Sequence, residues 1–581
     1  MKSLAALNKY FRTYKKDLIL GLTFILLANI FQVAIPIVMR DSIDALKSHF
    51  EYSLIIKYAA YIVGIAIFSG YFRYMIRMKM NVMSRKIEFD LRNDFWKHIQ
   101  KLPLRFFQNN STGNIMAHAT NDINAVRMYV GPAIMYSFDT LTKFLMIFVL
   151  IIVISPSLTF FTLLPLPFIS FLVFRVSKQI HKKFRIIQEK FSELTTFVQE
   201  NFAGIRVIKS YVREAFQTES FQNLSEDYLQ KSMEKIKIQA LFMPMLLMIG
   251  ISGIVVIWYG GGLVIKGELT IGDLVAFAAY LGLLMWPVIA LGWVMNMIQQ
   301  SSASMKRLLK IFDEPYEITE SSITRHSINS IKGAIEFKNV SFRYKENLPY
   351  VLDDVSLSIP RGATVAFIGH TGVGKSSLVN LIPRFYDVSN GKITIDGFDV
   401  RELPISVLRK NIGFVHQETF LFSDTLKNNI LYGLNDGTDE MVENAAKISQ
   451  LDKDVEGFPD GYETILGERG ITLSGGQKQR ACLARALAID PNILILDDSF
   501  SAVDTHTEED ILNRLKDFMQ GRTSIIISHR ISTVKDADRI FVLDNGKIAE
   551  EGTHTELVEL NGIYADLHYK QLLEEELKEL S

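Results

Sequence analysis

A glycine-rich loop between a predicted strand and a predicted helix is the segment whose residue types most directly indicate chemistry. Thr364 to Ile368 has the apolar, β-branched composition of a short strand, and a helix is expected from about Lys375 onward. The intervening spacing matches G-x-x-x-x-G-K-[ST] in full, and its glycines let backbone N–H groups wrap around phosphates at the start of the helix. The residues predicted to bind the nucleotide are Gly369, His370, Thr371, Gly372, Val373, Gly374, Lys375, Ser376 and Ser377.

A site for a metal ion and a nucleotide is predicted by two side chains of this loop together with the residues that follow a second strand. Lys375 is expected to reach the β- and γ-phosphates of ATP, and the Ser376 hydroxyl is expected to coordinate Mg²⁺. A second apolar strand, Ile493 to Leu496, is followed by Asp497 and Asp498. A carboxylate at the end of a strand beside a phosphate loop is the usual Mg²⁺ partner, and we assign this role to Asp497. The sequence therefore predicts that ATP and Mg²⁺ bind here.

A second short motif lies between these two strands. Leu473 to Gln477 reads Leu-Ser-Gly-Gly-Gln and leads into a predicted helix. In company with the phosphate loop, it resembles the signature of the ATP-binding cassette (ABC) transporter family. The resemblance implies that Ser474, Gly475, Gly476 and Gln477 face nucleotide bound to the phosphate loop of a second cassette, where the helix start offers an anion site. One chain then cannot complete a site alone, and a dimer is implied.

Other positions match the cassette pattern in order and spacing. The resemblance implies that Tyr344 stacks on adenine and that Gln417 senses Mg²⁺. It further implies that Asp504 lies in the loop at the dimer seam and that His529 contacts the γ-phosphate. Singly, these residues have ordinary explanations: Tyr344 as a packing aromatic, Gln417 as a surface polar group and His529 as a strand-end cap. Their joint order favours the functional interpretation, with Asp498, His529 and Gln417 as the catalytic set.

Asp498 departs from the family pattern, which usually has Glu as general base after the Mg²⁺ aspartate. Aspartate is one methylene shorter, and a displacement of about 1 Å can cost about a hundredfold in rate. We therefore predict slow hydrolysis at the site built on this chain's own phosphate loop. An intact signature beside a weakened base resembles the degenerate-site subunit of heterodimeric bacterial multidrug exporters. The expected partner is a different half-transporter that carries the catalytic Glu; a homodimer that uses Asp498 stays open.

The elements that must position these residues fall into two classes. Hydrophobic residues make up 48% of the 581 residues and charged residues 22%, which suits one membrane part and one soluble part. We predict an α-helical transmembrane bundle of six spans, followed by an α/β P-loop NTPase domain. Four of the predicted spans are Leu18 to Met39, about Leu54 to Phe72, Met243 to Ile265 and Ile271 to about Ile298. The third span is expected to start near Gly131 and the fourth to end near Arg175, with a turn at Ser155-Pro156-Ser157 inside the uncharged run Phe144 to Phe174.

Charge predicts orientation and partners. Lysines and arginines precede the first span and follow the second and fourth, so the positive-inside rule places both termini in the cytoplasm and the chain in the cytoplasmic (inner) membrane. Turns at Ser111 to Asn114 and Phe202 to Ile205 interrupt the two long connections and could present small helices to another domain. Equal numbers of acidic and basic residues, 63 each, give no reason to expect a nucleic-acid partner. The domain prediction is 1–311 transmembrane, 312–332 linker, 333–575 cassette and 576–581 tail.

The cargo is only weakly indicated. Asp139 lies in the third span, where a charge is expensive and often functional, and it could attract cationic drugs. Lys143 follows four residues later, however, so an internal ion pair explains both charges equally well. We predict ATP-driven export of amphipathic drug-like or lipid-like molecules across the cytoplasmic membrane by alternating access. A homodimeric lipid or lipid A flippase and a non-transporting ABC regulator are the alternatives.

Overall fold

The computed structural model describes residues 2–48, 51–241, 244 and 250–579. The chain divides into two compact units. The first comprises Met1–Lys97 and Ile115–Asp313, and the second comprises His98–Asn114 and Glu314–Ser581. The predicted transmembrane domain, 1–311, therefore loses one short internal segment to the second unit.

Helices account for the regular structure in the described residues before Phe312. They are α1 Asn8–Thr13, α2 Lys15–Ser48, α3 Tyr52–Ile76, α4 Val82–Ile99, α5 Leu104–Asn109, α6 Thr112–Ala117, α7 Ile123–Met128, α8 Ile134–Ile154, α9 Pro156–Leu163, α10 Pro165–Ala203, α11 Ile205–Ser210, α12 Glu214–Gln239, α13 Gly250–Val255, α14 Gly261–Ile265 and α15 Ile271–Phe312. Single π-helical turns join several of them into longer rods, at Arg77–Asn81, His118–Asp122, Tyr129–Ala133 and Val256–Gly260.

Four helical stretches are long and apolar enough to cross a membrane, counted over the described residues: Lys15–Lys47, Tyr52–Ile99, Thr112–Ile154 and Ile271–Phe312. Gly250–Ile265 is a shorter apolar helix. The predicted turn at Ser155 is confirmed, because Ser155 is extended and its Oγ accepts a hydrogen bond from the Leu158 amide at 3.3 Å. The start of the predicted fifth span, including Met243, Met245 and Met248, lies outside the described residues.

Two sheets build most of the second unit. Its strands are β1 Ile335–Phe342, β2 Leu352–Ile359, β3 Thr364–Ile368, β4 Asn390–Ile395, β5 Phe398–Asp399, β6 Ile412–Val415, β7 Ile493–Asp497, β8 Thr523–Ile527, β9 Arg539–Asp544 and β10 Lys547–Gly552. One sheet has the antiparallel order β2-β1-β4-β5. The other has the order β10-β9-β3-β8-β7-β6, and it is parallel except for β10.

The helices of this unit pack around the sheets. They are α16 Lys375–Leu381, α17 Ile405–Lys410, α18 Leu426–Ile430, α19 Asp439–Ile448, α20 Asp452–Val455, α21 Gly475–Ala488, α22 Thr505–Met519, α23 Ile531–Val534, α24 His554–Glu559 and α25 Ile563–Glu579. Successive residues of β3 enter different cores: Ala366 and Ile368 join one apolar cluster, and Val365 and Phe367 join the other. The parallel sheet is thus covered on both faces, as α/β sheets require. The predicted tail is helical as far as Glu579.

The connection between the second and third predicted spans contributes to this soluble unit. Its residues His98–Asn114 group with the second unit and contain α5. Within the unit, the His98 imidazole lies 2.6 Å from the Tyr316 hydroxyl, and the Arg105 guanidinium pairs with Glu317. This segment of the connection is therefore part of the second unit, and the docking of a helix onto another domain stays a prediction.

Candidate nucleotide site

Strand order explains why residues far apart in sequence meet. β3 lies next to β8, β8 next to β7, and β7 next to β6. Because these strands are parallel, their carboxyl ends share one edge of the sheet, where α/β proteins bind ligands. The phosphate loop follows β3, Asp497 ends β7, and Gln417 and His529 lie just after β6 and β8.

The loop conformation requires glycine at two positions. Gly369 has φ 150°, and a Cβ there would lie 2.3 Å from the Leu543 carbonyl oxygen. Gly374, which precedes α16, has φ 105°, and its Cβ would lie 2.9 Å from the Val351 carbonyl oxygen. Any larger residue would push the loop away from β9 and β2 or force an unfavourable left-handed backbone.

Lys375 is folded back on its own loop. Its Nζ donates to the carbonyl oxygens of Gly369 at 2.7 Å and His370 at 2.9 Å. Burial lowers the pKa of Lys375 below its ordinary value, while the Asp498 and Asp497 carboxylates oppose that shift. A buried ammonium held by neutral carbonyls has much to gain from phosphate oxygens, which are stronger acceptors.

Ser376 and Asp497 lie side by side at the carboxyl end of β7. The Ser376 hydroxyl donates to Asp497 Oδ1 at 3.0 Å, and Asp497 is only 4% exposed. Burial raises the pKa of Asp497, and the Ser376 hydrogen bond offsets part of the rise. A buried carboxylate whose hydrogen-bond partner is a neutral hydroxyl, surrounded by oxygen donors, fits the preference of Mg²⁺ for oxygen ligands near substrate phosphates.

The three residues predicted to be catalytic are brought together. Asp498 Oδ1 lies 3.0 Å from His529 Nδ1, and Asp498 Oδ2 accepts from Gln417 Nε2 at 3.4 Å. Asp498 itself has φ 48°, a left-handed conformation that aspartate tolerates better than most residues. The turn after β7 therefore aims this carboxylate along the sheet edge, toward the histidine and the glutamine.

A cavity of about 440 Å³ adjoins these groups, within the usual size range of small-molecule sites. Tyr344 lies on its wall, with its ring edge-on to Phe342 and its hydroxyl 2.8 Å from Ser377 Oγ. Of the predicted site residues, those lining the cavity are Tyr344, Thr371, Gly372, Gly374, Lys375, Ser376, Ser377, Gln417, Asp497, Asp498 and His529. Gly369, His370 and Val373 belong to the loop but do not line the cavity.

The signature residues lie outside this cavity. Ser474 caps α21 through a reciprocal pair of hydrogen bonds with Gln477, the capping-box arrangement. Gln477 also donates to Asp454 at 3.0 Å. Asp504 caps α22 by accepting from the Thr507 amide at 2.9 Å. None of Ser474, Gly475, Gly476, Gln477 or Asp504 lines the nucleotide cavity of this chain.

Sequence reasoning missed Gln479, which joins the signature helix to the seam loop. Its Nε2 donates to Ser501 Oγ at 3.0 Å, and its Oε1 accepts from the Ala502 amide at 2.9 Å. The side chain is 5% exposed although it follows a polar stretch of sequence. Gln479 lies on the same helix as several buried alanines, and this position on α21 could have indicated from the sequence that its side chain is buried.

Sequence reasoning also missed Gln571, on α25, which contacts the backbone next to His529. Its Nε2 donates to the His529 carbonyl oxygen at 2.5 Å, and its Oε1 accepts from the Ile531 amide at 2.8 Å. The neighbouring Arg530 is paired with the buried Glu508. The backbone on both sides of His529 is therefore fixed by the last helix of the chain.

Comparison with known proteins gives the same assignment over the whole length. The family "ABC transporter transmembrane region" matches residues 18–288, and the family "ABC transporter" matches residues 352–501. The chain is 37% identical over 580 residues to the uncharacterized ABC transporter ATP-binding protein YknU of Bacillus subtilis (strain 168), covering 98% of each.

Two further similarities concern activity and fold. The chain is 35% identical over 578 residues to the probable multidrug resistance ABC transporter ATP-binding/permease protein YheI of Bacillus subtilis (strain 168), covering 98% of each. The solved structure of a bacterial Atm1-family ABC exporter with ATP bound superposes with a TM-score of 0.76 at 25% identity, covering 96% of this chain and 99% of the other.

Proposed function

Because the chain belongs to the ABC transporter family, as a transmembrane region fused to an ATPase domain, we propose that it is one half of a dimeric, ATP-driven exporter. The proposed cargo is an amphipathic drug-like or lipid-like molecule that leaves the cell across the cytoplasmic membrane. A multidrug resistance relative at 35% identity supports this cargo class. The proposal includes six spans with both termini in the cytoplasm, which the positive-inside rule favours.

The observation that carries the dimer is the position of the signature. This chain's cavity is lined by its phosphate loop and strand ends, and Ser474 is not on its wall. Yet Ser474 and the α21 amide groups are held in a well-defined cap. A rigid anion site that this chain does not use for its own phosphate loop is available to a partner's nucleotide.

Each residue of the cavity has a proposed task. Lys375 exchanges its two loop carbonyls for phosphate oxygens when ATP binds. Ser376, Asp497 and Gln417 would hold Mg²⁺, which would neutralise charge on the phosphates. Asp498 accepts a proton from the attacking water, and His529, at 3.0 Å, orients the Asp498 carboxylate and contacts the γ-phosphate.

Asp498 is the reason to propose a heterodimer. Its carboxylate reaches less far than that of the usual Glu and is already engaged by two neighbours, His529 and Gln417. Hydrolysis on this chain's phosphate loop is therefore slow, while the intact signature completes a competent site on a partner that carries Glu. Closure of the two cassettes moves the spans through the helix turns near Ser111 and Gly204, and hydrolysis at the partner's site resets the dimer.

ATPase activity of the purified full-length chain tests this proposal. We expect slow turnover by the chain alone and up to about a hundredfold gain with Asp498→Glu. Lys375→Ala supplies the background rate, and thermal unfolding checks that Glu is accepted at the left-handed backbone of residue 498. Fast turnover by the unmodified chain alone would instead mean a homodimer that uses Asp498. Absence of ATP-dependent dye uptake into sealed inverted vesicles, with the partner present, would favour a regulator over an exporter.

A further inference from the structure

A cavity in the first unit combines an apolar wall with uneven charge. It has a volume of about 340 Å³ and lies between α2, α3 and α8. The buried Ile25 forms part of the wall on α2, and Tyr74 and Tyr136 contribute aromatic rings. The ionised side chains on its wall are Arg73, Arg77 and Asp139. A volume of this order suits a small head group or ring system.

The negative charge of this cavity is internally neutralised. The Lys143 ammonium donates to Asp139 Oδ2 at 2.8 Å, and its side chain is only 7% exposed. Thus the ion pair that the i,i+4 spacing suggested is present, and Asp139 has little attraction left for a cationic cargo. This outcome removes the main reason to expect a cation in this part of the bundle.

The two positive charges have no such compensation. Arg73 donates to the neutral amide oxygen of Gln32. Within the described part of the chain, neither Arg73 nor Arg77 has a carboxylate within ion-pair distance. Counting Arg73, Arg77, Asp139 and Lys143 together, the cavity and its immediate neighbour carry a net positive charge. Guanidinium groups are well matched to phosphate oxygens, which they bind through paired hydrogen bonds.

We propose that this cavity binds the phosphate head group of an anionic phospholipid, with the acyl chains lying along the apolar surface beside it. Both arginines come directly after the long apolar run of the second predicted span, at the level where head groups meet hydrocarbon. Tyrosine is favoured at the same level, since its ring is apolar and its hydroxyl is polar. Basic pockets between membrane helices are a recurrent form of acidic lipid site. The inference needs only the membrane location, and neither the proposed cargo nor the heterodimer.

Lipid titration of the purified full-length chain, followed by native mass spectrometry, tests the site. The probes are a phosphatidylglycerol and a phosphatidylcholine with identical acyl chains. We expect the phosphatidylglycerol to bind at least about tenfold more tightly, and Arg73→Gln and Arg77→Gln each to reduce that preference about tenfold. Arg12→Gln is the matched control, because Arg12 is an exposed arginine of α1 outside the cavity.

Further arms separate lipid recognition from other causes. Asp139→Asn releases the Lys143 ammonium, so phosphatidylglycerol binding should strengthen. Retained ATP binding shows that each variant is folded. Equal binding of the two lipids, or an equal loss in Arg12→Gln, would overturn the proposal. Displacement of the lipid by millimolar inorganic phosphate would also overturn it, because the site would then recognise a small anion. If no export is measured but the preference for phosphatidylglycerol persists, the proposed export function is refuted and the lipid site is supported.

Discussion

The contact between the signature helix and the seam loop can be tested through Gln479. Replacing Gln479 by Ala removes the hydrogen bonds to Ser501 Oγ and from the Ala502 amide, at 3.0 and 2.9 Å. Each is worth about 1 kcal/mol net, and water can partly replace them because Ser501 and Ala502 are exposed. We therefore expect Gln479→Ala to weaken the local arrangement by about 1–2 kcal/mol.

The consequence should appear at the site that the signature completes. Gly475 and Gly476 pack closely on Ala502, with Cβ positions that would lie 3.3 and 3.0 Å from its atoms. Loosening the loop should therefore displace the amide groups that we propose face the partner's nucleotide. A loss of about 1–2 kcal/mol corresponds to about a 5- to 30-fold lower ATPase rate of the assembled transporter at saturating ATP.

A conservative variant separates hydrogen bonding from side-chain volume. Gln479→Glu keeps the acceptor for the Ala502 amide, and the Ser501 hydroxyl can turn to donate to it. Its rate should stay within about threefold of the natural chain. Less than a twofold fall in Gln479→Ala, or an equal fall in both variants, would refute the idea that these two hydrogen bonds position the signature. Thermal unfolding of each variant identifies a general loss of fold.

Three further outcomes follow from the geometry of the soluble unit. Gln571→Ala should lower kcat of the assembled transporter several-fold with ATP affinity unchanged, because it frees the backbone on both sides of His529; equal kcat would contradict this role. Gly369→Ala should abolish ATP binding measured by fluorescent nucleotide titration, since its Cβ would meet the Leu543 carbonyl oxygen at 2.3 Å. Gly372→Ala carries only the backbone strain of φ 89°, with open space around its Cβ, and should retain more binding. Burial lowers the pKa of His554, and His568 and Lys535 act in the same direction. Its stabilising contribution is therefore present above the ordinary histidine pKa and lost as the pH falls, so the unfolding temperature should drop between pH 7.5 and 5.5 less steeply in His554→Gln.

The nucleotide site was predictable because its residues stand at positions that sequence marks clearly. The phosphate loop, Asp497 and His529 each follow a short apolar run, and parallel strands place such positions on one edge. The same reasoning predicted the turn at Ser155 and the spacing of Asp139 and Lys143, since both depend on neighbours within a few residues.

The residues that escaped prediction act across long stretches of chain. Gln571 meets the His529 backbone 42 residues away, and that contact depends on where the last helix packs. The association of Arg73 and Arg77 with Asp139 likewise depends on how α3 and α8 pack. Such contacts cannot be predicted from the spacing of residues in the sequence, because they depend on tertiary packing rather than on periodicity.

The hydrogen bonds of the second unit support the proposal that the signature residues serve a partner chain. Lys375 and Asp498 line this chain's own cavity, and their present hydrogen-bond partners can be replaced when a ligand binds. Lys375 is held by loop carbonyl oxygens, and Asp498 by the His529 imidazole and, at 3.4 Å, by the Gln417 amide. Ser474 and its helix start are instead fixed by a capping box and by Gln479, although they do not line this chain's own cavity. Hydrogen-bond donors that are fixed in advance stabilise a negative charge best when that charge develops at the position they already face. A firmly held signature beside a shortened base therefore fits the proposed subunit, whose main contribution to hydrolysis would be made on another chain's nucleotide.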